Sequence, residues 1–272
     1  MADIAQSQAS ANERKSGSAW LAKSGDRLLP LLAAVGMLVL WQLIIWIFSI
    51  RPFIMPGPIA VLGAFIEDGP KLWLNFWLTF LEAALGFIFG NLIAILMAVA
   101  FVHNRTSERA FFPIAVFINT IPIIAVAPIL VLIFGNGYSP KIIIAALICF
   151  FPTLVNMVRG LKAVNPATLD LMRVLSASDA EIFWKVRLQS SLPFLFAALK
   201  IAATTCVVGA IVAEWIGSNY GLGALILLAS YNYHAPLLYA SVFSASLLAV
   251  FLFAMVSFAE RRMIKWKTPA VH

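Results

Sequence analysis

Apolar and polar residues fall into long separate blocks along the chain instead of alternating. Six apolar segments can be marked, and they cover roughly residues 29–50, 74–102, 110–134, 141–158, 191–213 and 236–259. Because an α-helix rises about 1.5 Å per residue, each segment is long enough to cross about 30 Å of hydrocarbon. The pattern predicts an all-α, polytopic membrane protein with about six transmembrane helices.

The longest polar interval, residues 159–193, lies between the fourth and fifth apolar segments and has to lie in water. Residues 166–175 follow a helix-starting Asn-Pro pair and predict one short helix. Ser178, followed three residues later by Glu181, fits a capping box and predicts a second helix over 179–189. Their apolar faces should rest on the membrane domain or enter a partner groove, through Leu169, Met172, Val174 and Leu175 in the first helix and Ile182, Phe183 and Val186 in the second.

Composition and charge support a membrane protein and indicate its orientation. The chain is 62% hydrophobic and 11% charged, whereas soluble domains carry about 25% charged residues. With the N-terminus inside, fifteen Lys and Arg residues fall in inner segments, three in outer segments, and Lys200 in the fifth apolar segment. This asymmetry predicts that both termini and residues 159–193 are cytoplasmic. It also explains the net charge of +7 without a nucleic-acid partner.

The chain divides into three sections. Residues 1–28 are rich in Ser and Ala and predict a disordered cytoplasmic tail, without the short basic start and cleavage site of a signal peptide. Residues 29–262 form the predicted membrane domain, with 159–193 as its main cytoplasmic segment. Residues 263–272 form a short cytoplasmic tail.

Small residues and helix-breaking residues predict local features of three of the spans. The second span carries Gly86, Gly90, Ala94 and Ala98 on one helical face, which predicts close helix contact. The fifth span should begin at Pro193. Glycines after Glu214 predict a short re-entrant or surface helix. The third span is interrupted by Pro113, Pro122 and Pro128. These prolines indicate either a kinked packing helix or a helix that lines the pathway.

Motifs for catalysis and for metal binding are missing from the sequence. It contains no GxxxxGK[ST] phosphate loop, no HExxH and no GxSxG, and Cys149 and Cys206 read as small buried residues. We therefore predict no catalytic residue and no metal site. Ionisable or polar residues within spans are the candidates for a transport pathway: Glu82, Asn119, Thr120, Asn156, Thr204 and Thr205.

Residues 175–193, LSASDAEIFWKVRLQSSLP, resemble the EAA loop of permease subunits of binding-protein-dependent ABC importers. In that family a corner of small residues precedes an apolar helix and a terminal Leu-Pro, here Leu192 and Pro193. Ser176 stands where the loop usually has glycine, and serine disfavours a left-handed backbone. PFIMPGP, the IP…AP motif at 121–128, FGNGYSP and AEWIGSNYGLGALI resemble the branch that transports nitrate, sulfonates such as taurine, and thiamine-pyrimidine or flavin precursors.

The resemblance implies a type I ABC importer fold in the cell inner membrane. Two permease subunits, as a homodimer, would form the pathway, and an extracytoplasmic binding protein would deliver the substrate. Separate ATPase subunits would hold ATP and Mg²⁺, so this chain would need no cofactor and would not itself be an enzyme. Coupling to the ATPase would involve Leu175, Ser176, Ala177, Ser178, Asp179, Glu181, Phe183, Trp184 and Pro193.

Two other classes of protein fit the sequence less well. A secondary transporter or channel, not driven by ATP, predicts charge relays and repeated broken helices, but only Glu82 and Lys200 are ionisable within spans and no internal repeat is visible. A membrane enzyme needs an acid/base or metal constellation. The pathway candidates include no basic cluster, which favours a neutral substrate such as a pyrimidine or flavin precursor over a sulfonate or nitrate.

Overall fold

A computed structural model of the chain describes residues 29–30 and 32–265, and helices are the only regular secondary structure in that part. The predicted tail 1–28 and most of the predicted tail 263–272 lie outside the described residues. The helices, numbered in chain order, are α1 (Leu32–Ile47), α2 (Pro58–Glu67), α3 (Gly69–His103), α4 (Arg105–Thr120), α5 (Ile123–Phe134), α6 (Tyr138–Lys162), α7 (Pro166–Val174), α8 (Asp179–Ile182), α9 (Leu188–Glu214), α10 (Leu222–Tyr231) and α11 (Ala235–Met263).

The chain forms two compact units, one ending at Gly63 and the other starting at Ala64. In the first unit, α1 is apolar and is followed by a turn that ends the helix near Ser49, whose φ is +47°. The amides of Ile54 and Met55 then bond to the Arg51 carbonyl, at 2.9 and 3.2 Å. The proline-rich stretch after the first apolar segment therefore contains a folded turn.

The second unit contains the long spans. Four helical stretches are long and apolar enough to cross a membrane, namely α3, α6, Asp179–Glu214 and α11. Helices α4 and α5 make a fifth candidate if their pair, bent by 95°, counts as one span. Together with the shorter apolar helix α1, these account for the six apolar segments of the sequence. The prediction of a polytopic all-α membrane fold is confirmed.

Small residues bring α3 and α6 into close contact, as predicted from their spacing. Gly86, Gly90, Ala94 and Ala98 are all buried. A Cβ atom added at Gly90 would lie 2.4 Å from the Ala146 carbonyl oxygen. Membrane helices gain little from the hydrophobic effect against lipid, so close packing of this kind is a main source of their association.

The helix break between α4 and α5 lies at only one of the three candidate prolines. Pro113 and Pro128 are inside helices, whereas Ile121 and Pro122 are extended, with ψ of 125° and 116°. A residue that precedes proline is disfavoured in the helical region, which explains the extended Ile121. The interior prolines remain because membrane helices tolerate the loss of one hydrogen bond.

The second helix of the polar interval is not separate from the fifth span, and this corrects two predictions. After α8 the backbone forms a π-helical turn, Phe183–Arg187, in which the Leu188 amide bonds to the Phe183 carbonyl. The turn leads directly into α9, so Pro193 lies inside that helix and does not begin it. Its ring removes one backbone donor, a loss that helices of membrane proteins tolerate.

We expect Gly90→Ala to lower the free energy of unfolding by about 1–3 kcal/mol, the usual cost of overpacking. The added methyl group would collide with the α6 backbone. Gly69→Ala is the matched control, because a Cβ atom there has nothing within 4 Å. An SDS-unfolding titration of the purified protein measures both variants, and equal effects would contradict the packing assignment.

Candidate functional site

The corner at Ser176 is an ordered helix C-terminus. Ser176 has a φ of +57°, in the left-handed region. Its amide bonds to the Arg173 carbonyl at 2.9 Å, and the Ala177 amide bonds to the Met172 carbonyl at 3.0 Å. This pair of bonds is the Schellman motif, which usually has glycine at the left-handed position. Serine therefore adopts the backbone conformation that the usual glycine would allow.

The predicted capping box is present immediately after this corner. The Ser178 amide bonds to Glu181 Oε2 at 3.0 Å, and the Glu181 amide bonds to Ser178 Oγ at 3.3 Å. Lys185 Nζ lies 2.9 Å from Glu181 Oε1. These residues precede the apolar part of the fifth span. The Lys185 ammonium, with the Ser178 amide and hydroxyl, lowers the pKa of Glu181 to about 2.

Four large apolar side chains of this segment face away from the rest of the chain. We call them the coupling patch: Leu171, Val174, Leu175 and Trp184, with Val174 81% and Trp184 64% exposed. Ile182 and Phe183 point the other way and are buried. The Phe183 ring lies 4.8 Å from the His103 ring at the end of α3. The segment therefore has buried residues that pack on the membrane domain and large apolar residues that are exposed in the described chain.

Two candidate pathway residues lie at the bend between α4 and α5. Asn119 lines a cavity of about 170 Å³ bounded by α4, α5 and α6. The Thr120 hydroxyl donates to the Phe117 carbonyl of its own helix at 2.7 Å. Their role in a pathway stays a prediction.

Three further candidates bond to the backbone of their own helices. The Asn156 amide donates to the Pro152 carbonyl at 2.8 Å, and the Thr204 hydroxyl to the Ile201 carbonyl at 2.9 Å. The Thr205 hydroxyl lies 3.1 Å from the same Ile201 carbonyl. These contacts do not join the three residues into one site, and their proposed role also stays a prediction.

The sixth candidate, Glu82, belongs to a buried ion pair. Its Oε1 lies 2.8 Å from Lys141 Nζ on α6, so it pairs with a residue of a neighbouring helix. Lys141, one of the three Lys and Arg residues counted in outer segments, is buried. Lys200, the other ionisable residue within a span, forms a partly exposed ion pair with Glu260 of α11.

Sequence reasoning did not identify Glu214 as a member of the same cluster. Glu214 ends α9, and its Oε1 accepts a hydrogen bond from the Thr79 hydroxyl at 2.6 Å. Its Oε2 accepts from the Gly223 amide at 2.5 Å. The available signal was a carboxylate followed by closely spaced glycines. Thr79, Glu82, Lys141 and Glu214 form a buried polar group, and the half-buried Asn75 lies beside it, since Asn75 and Thr79 accept hydrogen bonds from the amides of Gly221 and Leu222.

The family model described as binding-protein-dependent transport system inner membrane component matches residues 90–265. The chain belongs to this family. The match includes residues 175–193, and the expected membership in the permease family is confirmed. The coupling role of these residues stays a prediction. Permeases of this family are transport components that work with an ATPase and a substrate-binding protein, and this one is a multi-pass inner-membrane ABC importer permease.

Relatives of this permease cover nearly the whole chain. It is 32% identical over 237 residues to a probable ABC transporter permease protein of Haemophilus influenzae, which spans 87% of this chain and 97% of the relative. It is 30% identical to the formylaminopyrimidine transport permease protein ThiX of Halalkalibacterium halodurans, over 90% and 98% of the two chains. The riboflavin transport system permease protein RibX of Chloroflexus aurantiacus is 29% identical, over 85% and 87%.

Solved structures confirm the fold of the permease. A chain of the MetNI methionine ABC transporter, in an inward-facing form, superimposes with a TM-score of 0.60. The likeness covers 75% of this chain and 99% of that chain at 20% sequence identity. The type I importer fold expected from the sequence is therefore confirmed.

We expect Ser176→Gly to preserve or raise thermal stability, because a non-glycine residue at a left-handed position costs about 1 kcal/mol. Ser176→Val should lower the melting temperature, since a β-branched side chain fits this backbone region poorly. Thermal unfolding of the purified permease compares the two variants. Equal melting temperatures of the valine and glycine variants would contradict the left-handed conformation of residue 176.

Proposed function

We propose that the chain forms the substrate pathway of an ATP-driven importer and that its coupling patch docks in a groove on a separate ATPase subunit. One observation carries this proposal: the exposed patch sits on a capped, ordered turn within a polar segment. Burying a large apolar side chain contributes about 1.5–3 kcal/mol. The surrounding Asp170, Arg173, Asp179 and Lys185 would give the contact a polar rim.

The helices beside the patch supply a rigid connection to the membrane domain. From Asp179 the backbone is helical through the π turn to Glu214. On its inner face, Phe183 belongs to an apolar cluster with Phe101 of α3 and Met157 of α6. A force applied at the patch would therefore move α9 and its neighbours as a body. ATP and Mg²⁺ would bind to the partner ATPase.

The proposed orientation of the chain in the membrane follows from the distribution of Lys and Arg. The coupling patch and both termini would face the cytoplasm, and α10 would face the opposite side, where a binding protein delivers substrate. A second permease subunit, as a homodimer, would complete the pathway. The 95° bend between α4 and α5, with Asn119 beside it, is the proposed point at which the pathway narrows.

The substrate is proposed to be a small organic nutrient. The relatives ThiX and RibX are named for transport of formylaminopyrimidine and riboflavin, and the relative SsuC of Bacillus subtilis for aliphatic sulfonates. The pathway candidates are uncharged except Glu82, which is paired with Lys141. This absence of a free basic group among them favours a pyrimidine or flavin precursor over a sulfonate, taurine or nitrate.

We expect Trp184→Ala to weaken association with the co-expressed ATPase, because it removes the largest side chain of the coupling patch. A loss of about tenfold in affinity would match one apolar contact of about 1.4 kcal/mol. Tyr231→Ala is the matched control, since Tyr231 is a 77% exposed aromatic residue on α10. Co-purification and ATPase coupling measure the effect, and unchanged association of the Trp184 variant would contradict the docking proposal.

The substrate class is tested on the binding protein that works with this permease. We expect it to retain a pyrimidine or flavin precursor when it is purified and its ligand is extracted for mass spectrometry. Isothermal titration with a pyrimidine, riboflavin, taurine and nitrate then ranks the candidates. Retention of taurine or nitrate alone would contradict the expectation for the substrate and leave the coupling patch unaffected.

A further inference from the structure

Four basic side chains line two cavities between the start of α4 and the end of α6. Arg105 and Arg109 are one turn apart in α4, and Arg159 and Lys162 belong to the last turn of α6. Residues three or four positions apart share a face of a helix, so each pair lies on one side of its helix. The α4 arginines line a cavity of about 340 Å³, Arg159 lines one of about 430 Å³, and Lys162 lines both.

One ion pair is common to the walls of the two cavities. Lys162 Nζ lies 2.5 and 2.6 Å from the two carboxylate oxygens of Glu108, which also lines both cavities. Glu108 is the one acidic side chain on these walls, so it balances a single basic residue. The remaining three form no ion pair with any residue in the described part of the chain: Arg105, Arg109 and Arg159.

The unpaired charges favour an anion as the occupant of the cavities. Arg105 is the first residue of α4, and a cation in the first turn of a helix opposes the partial positive charge of that end. An anion between the arginines would offset this repulsion as well as the excess of positive charge. The planar guanidinium group of arginine can bind two oxygens of a phosphate group at once.

The walls of both cavities become apolar toward the membrane-spanning parts of the helices. Phe112 and Pro113 continue the α4 wall of the first cavity, and Val155 and Val158 continue the α6 wall of the second. A phosphate group that is attached to acyl chains matches a basic end followed by an apolar surface. Basic pockets of this kind between membrane helices bind lipid head groups. Further apolar side chains along α4 are exposed: Phe111, Ile114 and Phe117.

We propose that the two cavities bind the head group of an anionic phospholipid, with an acyl chain along α4. The phosphate group lies between Arg109 on the α4 wall and Arg159 on the α6 wall, while Lys162 stays paired with Glu108. The placement of this site in the cytoplasmic leaflet rests on the proposed orientation of the chain. The binding of the lipid does not depend on the coupling patch.

Native mass spectrometry of the complete transporter, purified in detergent, measures this binding. Phosphatidylglycerol and phosphatidylcholine with identical chains are added separately, since only the first carries a net negative charge. We expect phosphatidylglycerol to bind more tightly. Arg109→Gln and Arg159→Gln should each weaken its binding by about tenfold, as expected when one charge-assisted contact is lost. Arg109→Lys keeps the charge and should restore most of the affinity.

Arg261→Gln is the matched control. Arg261 is an exposed residue in the last turn of α11 and lines neither cavity. The substitution removes one positive charge from the same proposed side of the membrane and should leave the affinity for phosphatidylglycerol unchanged. Without added lipid, the melting temperatures of all the variants should be alike, which separates lost binding from lost folding. An equal loss of affinity in Arg261→Gln and Arg109→Gln would mean general attraction by basic residues and would overturn the site.

Glycerol phosphate distinguishes a lipid site from a site for a soluble phosphate group. It carries a phosphate and a glycerol without acyl chains, and at equal concentration it should not displace phosphatidylglycerol. The proposal is overturned if it does, if phosphatidylcholine binds equally well, or if no lipid is retained, as when a second permease subunit covers the cavities. If the chain never associates with an ATPase, the proposed function fails, but the purified permease alone still tests the lipid site in the same way.

Discussion

The close approach of α3 to α6 determines where the polar groups of this permease lie. Gly86 and Gly90 allow the two backbones to come together. On one side of this contact Glu82 meets Lys141, and on the other the Thr153 hydroxyl bonds to Asn91 Oδ1 at 2.5 Å. Polar pairs of this kind are stable inside a membrane domain only when the helices hold them in register.

The coupling segment uses local backbone chemistry to present an apolar surface. The Schellman motif ends α7, and the capping box begins α8 only two residues later. Each satisfies backbone groups that would otherwise need water or a partner. Because the turn does not depend on a partner for its shape, the coupling patch would already be formed before the proposed docking, and little ordering entropy would be lost on association.

The features that could be predicted from the sequence are local ones. Apolar runs predicted the spans, four-residue spacing predicted the glycine contact of α3, and Ser178 with Glu181 predicted the capping box. Glu82 and Lys141 are 59 residues apart, and Thr79 and Glu214 are 135 residues apart. Such pairings depend on which helices become neighbours, which periodicity does not indicate. At Ser176 the geometry of the helix end overrides the preference of the residue.

The π turn at Phe183–Arg187 has a consequence for the angular phase of the long helix. A π turn holds one residue more than an α turn, and each residue of an α-helix advances the direction of the side chains by about 100°. The faces of α9 are therefore rotated relative to the faces of α8. Within the turn, Phe183 is buried and Trp184 is exposed. The angle between the side chains of α8 and the transmembrane face of α9 thus depends on a single inserted residue.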